Sequence, residues 1–249
     1  MTSNESAPNL ISVILPAYNE RENIVPLIQE IRQALAPRPV EVVVVDDNSP
    51  DGTAEVARQA FPGDEFVKVF VRPSDPSLGK SIRRGLEEAS GDILVVMDTD
   101  FNHQPSYLPI LVDNLEHFDC VIASRFLYGG RMNSRSRHLL SWGFNVFVRL
   151  ALPDGQITDN LYGFFAIRRE TLFRVPFDRV FWGYGDYFIR LVYYLQQGKT
   201  SLLQIPVVNG DRRAGEANSS FVGVFREYFR ATMELSLRER LGHGRRDCD

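Results

Sequence analysis

Asp92-Ile93-Leu94-Val95-Val96-Met97-Asp98-Thr99-Asp100 sets five consecutive apolar residues directly ahead of two carboxylates. The run is too short for a buried helix, follows Gly91 and is rich in branched side chains. It reads as a strand over 92–97 covered on both faces. Residues 80–89 before it and 106–117 after it read as helices. Further strands fall at 10–15, 40–45, 65–71 and 120–124, and further helices at 22–35 and 53–60. Ile24, Leu27, Ile28, Ile31 and Leu35 share one face of the first helix. This alternation predicts a doubly wound α/β fold, a mostly parallel sheet flanked by helices.

Ligands of such sheets bind beyond the carboxyl ends of the strands. The first strand ends in Pro16-Ala17-Tyr18-Asn19-Glu20, the second in Asp46-Asp47-Asn48-Ser49 and the fourth in Asp98-Thr99-Asp100. Topology alone therefore puts a site at these three neighbouring ends. Asp98 and Asp100, with Asn102 as a neutral oxygen donor, suit a hard cation such as Mg²⁺, which takes one or two carboxylates plus substrate phosphates. The plainer reading of an isolated Asp-x-Asp is a helix cap. Asp46 and Asp47 are like charges side by side and need a partner, which a nucleoside hydroxyl or base could supply. Gly79-Lys80 opens a helix, where backbone N–H groups and a nearby cation suit phosphate. His103, His117, His138 and His243 show no metal-ligand spacing and read as structural or surface residues.

Past residue 124 the pattern loosens. An amphipathic helix is expected at 137–152, strands at 162–167 and 201–208, and helices at 186–196 and 221–241. Residues 120–153 hold Arg125, Arg131, Arg135, Arg137 and Arg149 with no Asp or Glu, although the 249-residue chain has a net charge of -4. Two readings of this stretch stand: an anionic partner gripped by arginine forks, or a basic solvated face. Its interleaved Leu139, Leu140, Trp142, Phe144 and Phe147 fit either a membrane-surface helix or one packed on the core.

The net negative charge argues against a nucleic-acid partner. Two cysteines give no disulfide framework or zinc spacing, which fits a reducing compartment. Residues 1–8 are polar and no apolar stretch is long enough to span a bilayer. The expected location is cytoplasmic, with any membrane contact peripheral.

Together these motifs resemble the family 2 glycosyltransferases of the GT-A fold, in particular the dolichol-phosphate mannosyltransferase-like branch. The resemblance covers about residues 10–220. It is carried by Pro16-Ala17-Tyr18-Asn19-Glu20, by Asp46-Asp47-Asn48-Ser49-Pro50-Asp51-Gly52-Thr53, by Gly79-Lys80 and by Met97-Asp98-Thr99-Asp100. It implies one GT-A catalytic domain over 1–249, with a nucleotide-binding half at 1–125, an acceptor half at 126–220 and a C-terminal helix and tail at 221–249. It implies further that Pro16, Tyr18, Glu20, Asp47 and Lys80 serve a nucleotide-sugar donor. Asp98, Asp100 and Asn102 would hold the diphosphate and a Mn²⁺ or Mg²⁺ ion. Arg125, Arg137 and Ser141 match positions that grip the phosphate of a polyprenyl phosphate. Asp159-Asn160-Leu161-Tyr162-Gly163-Phe164 is similar to a segment lining the sugar site.

Two departures stand out. Gly183-Tyr184-Gly185-Asp186 lies where relatives carry Gly-Tyr-Lys, and Arg212…Gly215-Glu216-Ala217-Asn218 where they carry Arg…Gly-Glu-Ser-Lys. Arg212, with Arg213 beside it, remains a candidate diphosphate contact. The implied reaction is an inverting transfer of mannose or glucose, from GDP-mannose or UDP-glucose, to a polyprenyl or dolichyl phosphate. The alternatives are a hydroxyl acceptor, with Asp186 or Asp159 as the base, or a non-catalytic nucleotide-sugar binder.

Overall fold

Strands β1 (Ile11–Ala17) and β2 (Val40–Asp46) pair in parallel from Ile11 opposite Val40 to Ala17 opposite Asp46, and every residue of both is buried. They belong to a computed structural model that describes residues 9–153, 155–211, 213 and 221–241. Strand β3 (Val67–Val71) extends the sheet beyond β2, and β4 (Ile93–Val96) lies on the other side of β1. With β5 (Cys120–Ser124), β6 (Phe165–Arg168) and β7 (Leu202–Pro206), the seven strands run in the order β3-β2-β1-β4-β6-β5-β7. Strand β6 is antiparallel to both its neighbours, β4 and β5, and the other pairings are parallel.

Because side chains alternate across a strand, the same residues build two cores. Val13, Leu15, Val42, Val44 and Val95 face one side, where α1 (Ile24–Leu35) and α4 (Leu108–Asp113) cover them. Ile14, Val43, Val45, Leu94 and Val96 face the other, against α3 (Leu78–Glu88) and α8 (Asp186–Gln197). Helix α2 (Thr53–Ala60) packs beside β3. Ten of the twelve residues of α8 are buried, because α9 (Phe221–Arg240) lies over it on the solvent side. Helix α5 (Arg135–Ala151) buries only Asn145 and Val148, and meets α9 through Phe144 on Phe225 and Phe147 on Phe229. Two single-turn helices, α6 (Arg169–Leu172) and α7 (Phe177–Val180), follow β6.

The doubly wound sheet is as the alternating pattern predicts. The helix expected at 106–117 is broken into α4 between two 3-10 turns, since Pro105 and Pro109 stand in the opening turns. The strand expected at 162–167 begins only at Phe165: Gly163 has φ +69°, which turns the chain before β6.

Candidate active site

The carboxyl ends of β1, β2 and β4 open onto a cavity of about 420 Å³ lined by Pro16, Tyr18, Glu20, Asp47, Asp98 and Asp100. The strand-end argument therefore brings six of its named residues to one place. Tyr184, Ser77 and Ser81 line the same cavity from 60 or more residues away from β1; no short-range pattern marks the two serines, whereas Tyr184 lies in the Gly183-Tyr184-Gly185-Asp186 segment.

The Asp98-Thr99-Asp100 turn is held on several sides. Thr99 donates its hydroxyl to Pro16 O at 3.2 Å, tying the end of β4 to the end of β1. Asp100 accepts Asn102 N at 3.0 Å and Asn102 Nδ2 at 2.6 Å. Phe101, between them, sits at φ +66°, an unfavourable conformation for an aromatic residue that persists only under strong local constraint. Asn102 O supplies that constraint by accepting Gly210 N at 2.9 Å and Tyr162 Oη at 2.8 Å. Asn102 Oδ1 accepts Asn209 Nδ2 at 3.0 Å. Asn102, the expected oxygen ligand, braces Asp100 with its amide nitrogen and accepts Asn209 with its oxygen.

His103, read as structural from the sequence, lies beneath this turn. Its Nδ1 accepts Asp98 N at 2.8 Å, so the proton resides on Nε2, which faces Asp98 Oδ2 at 3.5 Å. The ring stacks on Phe164 at 4.8 Å and meets the edge of Tyr162 at 4.3 Å. Complete burial pushes its pKa down to about 3, which keeps the imidazole neutral.

Asp47 has found its partner inside the protein. Its Oδ1 accepts Arg72 Nη1 and Ser81 Oγ, both at 2.5 Å, and Oδ2 accepts Ser77 N at 2.8 Å. The adjacent charge Asp46 binds Ser49, and burial raises its pKa. The two carboxylates thus need no ligand to coexist, and Asp47 orients the wall of the cavity. Lys80 is not brought there: its Nζ pairs with Asp75 at the surface. The N-terminus of α3 is also committed, with Gly79 N donating to Gly183 O at 3.1 Å and Ser77 Oγ capping Lys80 N.

A second cavity of about 410 Å³ is lined by Arg125, Arg137, Ser134, Asn209, Asp211 and Asn102, and the Asn102 side chain hydrogen-bonds Asp100 of the first. Arg125 is buried and forks onto Asp159, Nε to Oδ2 at 2.7 Å and Nη2 to Oδ1 at 3.0 Å, with its plane over Tyr162 at 4.4 Å. Arg137 is exposed. Ser141, one turn further along α5, does not line the cavity.

Asp159 and Asp186 were the carboxylates expected to take a proton. Asp159 is fully buried against Arg125. Asp186 is 4% exposed, and its oxygens accept Arg190 Nη1 at 2.6 Å and Tyr184 N at 2.8 Å. Both are held in ion pairs. Arg212 lies outside the described residues. Its neighbour Arg213 stacks over Phe101 at 3.7 Å and pairs with Glu30.

Among the described residues no three His, Cys, Asp or Glu side chains converge as a self-sufficient metal cage. The donor set that does border the first cavity, Asp98 and Asp100, fits a hard cation that completes its shell with substrate phosphates and water.

A profile of the family described as glycosyl transferase family 2 matches residues 12–174. The dolichol-phosphate mannosyltransferase of Pyrococcus furiosus is 38% identical over 230 residues, spanning 90% of this chain, and the chain covers only 63% of that relative's length, less than two thirds. The undecaprenyl-phosphate mannosyltransferase of Micrococcus luteus is 33% identical over 84% of this chain and 87% of that one. Among solved structures, glucosyl-3-phosphoglycerate synthase of Mycobacterium tuberculosis, in complex with Mn²⁺, UDP and glucosyl-3-phosphoglycerate, superposes with a TM-score of 0.67 at 25% identity, covering 94% of this chain and 80% of that one. With its Asp-x-Asp turn at the strand ends and a profile match over more than half its length, the chain belongs to glycosyltransferase family 2.

Proposed function

We propose that the chain transfers a hexose, mannose or glucose, from a nucleotide sugar such as GDP-mannose or UDP-glucose to the phosphate of a polyprenyl phosphate, with inversion at the anomeric carbon. The observation that carries this reading is a pair of cavities whose walls are linked by the hydrogen bond from Asn102 to Asp100, one bordered by carboxylates and the other by Arg125 and Arg137. The first suits a nucleoside diphosphate held through a cation. The second suits a phosphate monoester, for which Arg137 offers an open guanidinium and Arg125 a buried positive charge.

Asp98 and Asp100 would hold Mn²⁺ or Mg²⁺, which when bound supplies Lewis-acid neutralisation of the departing diphosphate. His103 fixes the Asp98 backbone and Asn102 braces the Asp100 carboxylate. A phosphate monoester has a second pKa of about 6 and is largely dianionic at neutral pH, so it attacks without a protein base. The ion-paired state of Asp159 and Asp186 favours this acceptor over a hydroxyl, which would need one of them free. Relatives named dolichol-phosphate and undecaprenyl-phosphate mannosyltransferases support the same acceptor class.

No described helix is long and apolar enough to cross a membrane. Helix α5 starts beside the second cavity and leaves Leu139, Trp142 and Leu150 exposed, which suits peripheral attachment.

The test is nucleoside diphosphate release from each donor with Mn²⁺ or Mg²⁺, with and without a short-chain polyprenyl phosphate. Release that needs the lipid phosphate, and that falls at least about 10²-fold in Asp100→Ala, is expected. Release indifferent to the lipid phosphate would rule out this acceptor.

A further inference from the structure

The segment Trp182-Gly183-Tyr184-Gly185 is among the most constrained loops in the molecule, and it borders the donor cavity through Tyr184. Three elements press on it at glycines. A Cβ on Gly79, at the start of α3, would lie 2.7 Å from the Trp182 backbone. A Cβ on Gly185 would lie 2.1 Å from Tyr228 Oη of α9. Gly183 sits at φ +76°, where a Cβ would also come within 2.8 Å of Asp186 Oδ1. Only glycine satisfies both the conformation and the space at this position.

Hydrogen bonds then fix the loop's direction. Gly183 O accepts Gly79 N at 3.1 Å and Ser77 Oγ at 2.8 Å. Ser77 N in turn donates to Asp47 Oδ2 at 2.8 Å, so Ser77 joins the loop to the wall formed by β2. On the far side, Asp186 Oδ1 accepts Tyr184 N, and Asp186 Oδ2 accepts Arg190 Nη1. Arg190, 4% exposed, donates Nη2 to Trp182 O of the loop and Nε to Val180 O at the end of α7 at 3.1 Å. Its guanidinium lies 3.9 Å from the centroid of the Trp182 ring. The ion pair thus holds the loop backbone at Trp182 and Tyr184 and ties it to α7. Tyr184 itself remains 38% exposed and faces the cavity that holds Asp47, Asp98 and Asp100.

We propose that Asp186 and Arg190 are positioning residues for donor binding: together they hold the 182–185 loop against the start of α3 so that Tyr184 forms a wall on which the nucleotide sugar packs. The inference rests on the donor-cavity reading above and adds residues to it. It assigns the donor contact on this side of the cavity to an aromatic ring, since Lys80 is turned away to Asp75. A ring held in advance loses little freedom when the ligand arrives, which is why the mounting of the loop bears on affinity. It also gives the Gly183-Tyr184-Gly185-Asp186 sequence a physical reading: the acid is there to fix the tyrosine, not to take a proton.

The test measures dissociation constants for GDP, UDP, GDP-mannose and UDP-glucose by titration calorimetry, with Mg²⁺ present, for the full chain and five variants. Tyr184→Ala is expected to weaken the bound donor about tenfold or more, the usual scale for losing one stacking aromatic, and Tyr184→Phe to retain affinity. Arg190→Gln should reproduce most of the Tyr184→Ala loss, and Asp186→Asn, which keeps an acceptor for Tyr184 N, a smaller part of it. The double variant Tyr184→Ala/Arg190→Gln should be no weaker than Tyr184→Ala alone, because Arg190 acts through the ring. A purely structural ion pair would instead lower Tm and leave affinity unchanged, or add its loss to that of Tyr184→Ala, and either result overturns the proposal. Unchanged affinity in Tyr184→Ala overturns it as well. Should Arg190→Gln fail to fold, Asp186→Asn on its own decides between the same outcomes. Failure of the unaltered chain to bind any of the four nucleotides would instead refute the donor-cavity reading.

Discussion

His103 reaches Asp98 through a backbone hydrogen bond of 2.8 Å, and Glu41 is buried among Lys68, Ser12 and Ser90 far from the cavity. Neither role can be seen in the sequence, where one is a lone histidine and the other a charge inside a run of valines. What the sequence does expose at this scale is residue type at strand ends: Pro16, Asp47, Asp98 and Asp100 are found from topology and chemistry alone. The partners that orient them, Arg72, Ser77 and His103, are fixed by packing between distant segments and carry no local signal. Glu41 permits a pH test of such packing. Burial raises its pKa, but hydrogen bonds from Lys68, Ser12 and Ser90 N outweigh this and hold it below the ordinary glutamate value. A carboxylate lowered in the fold stabilises above its unfolded pKa of about 4.3, and that contribution fades as pH falls toward the folded value. Glu41→Gln is therefore expected to cost about 1.5–3 kcal/mol at pH 7, and clearly less at pH 3.5, by urea unfolding. An equal cost at both pH values would mean that the charge contributes nothing.

At the level of elements, the strands β1 to β5 and helices α1, α3 and α8 follow their periodicity to within one or two residues. The pattern did not reveal that β6 runs against its neighbours, because a four-residue apolar strand looks the same in either direction. Nor could it choose between the two fates of α5. The structure puts Leu139 at 66%, Trp142 at 52% and Leu150 at 82% exposure, while Phe144 and Phe147 turn inward onto α9. Helix α9 continues the apolar surface with Phe229, Met233 and Leu237, one helical turn apart, and the Phe147–Phe229 stack joins the two stripes. Arg135, Arg137, Arg149, Arg226 and Arg230 stand exposed along the same two helices. A two-helix apolar face flanked by arginines suits an anionic lipid surface, which these residues meet without unfolding anything. Replacing Leu139 and Trp142 together by Glu is expected to reduce co-sedimentation with phosphatidylserine-containing vesicles at least about tenfold, as two apolar contacts are lost and two repulsive charges gained. Tm should stay within about 2 °C, since both side chains are solvent-exposed. Unchanged vesicle binding would remove α5 from the attachment surface.

For the molecule as a whole, the expected division into a nucleotide-binding half at 1–125 and an acceptor half at 126–220 meets the strand order. Strand β6, from the second half, lies between β4 and β5 of the first, pairing Leu94 with Ile167 on one side and Cys120 with Ile167 on the other. Strand β7, also from the second half, covers the outer edge of β5. A chain ending at 125 would leave β4 with an open edge and β5 with no neighbour at all, although every residue of β5 is buried in the full chain. It would also lose α8, which supplies Phe188, Leu191, Val192 and Leu195 to the core beneath Ile14, Val43 and Leu94. Removing that layer exposes hundreds of square ångströms of apolar surface, far more than the few kcal/mol of net stability of an ordinary domain can absorb. The two regions are therefore expected to fold as one unit. Fragment 9–125 is expected to be unfolded or aggregated by circular dichroism and size-exclusion chromatography, whereas the full chain should unfold in one transition whose midpoint is the same by fluorescence and by far-ultraviolet circular dichroism. A soluble fragment that bound nucleoside diphosphate with the affinity of the full chain would show instead that the donor cavity needs neither β6 nor Tyr184. That result would place the donor-binding energy entirely on the ends of β1, β2 and β4.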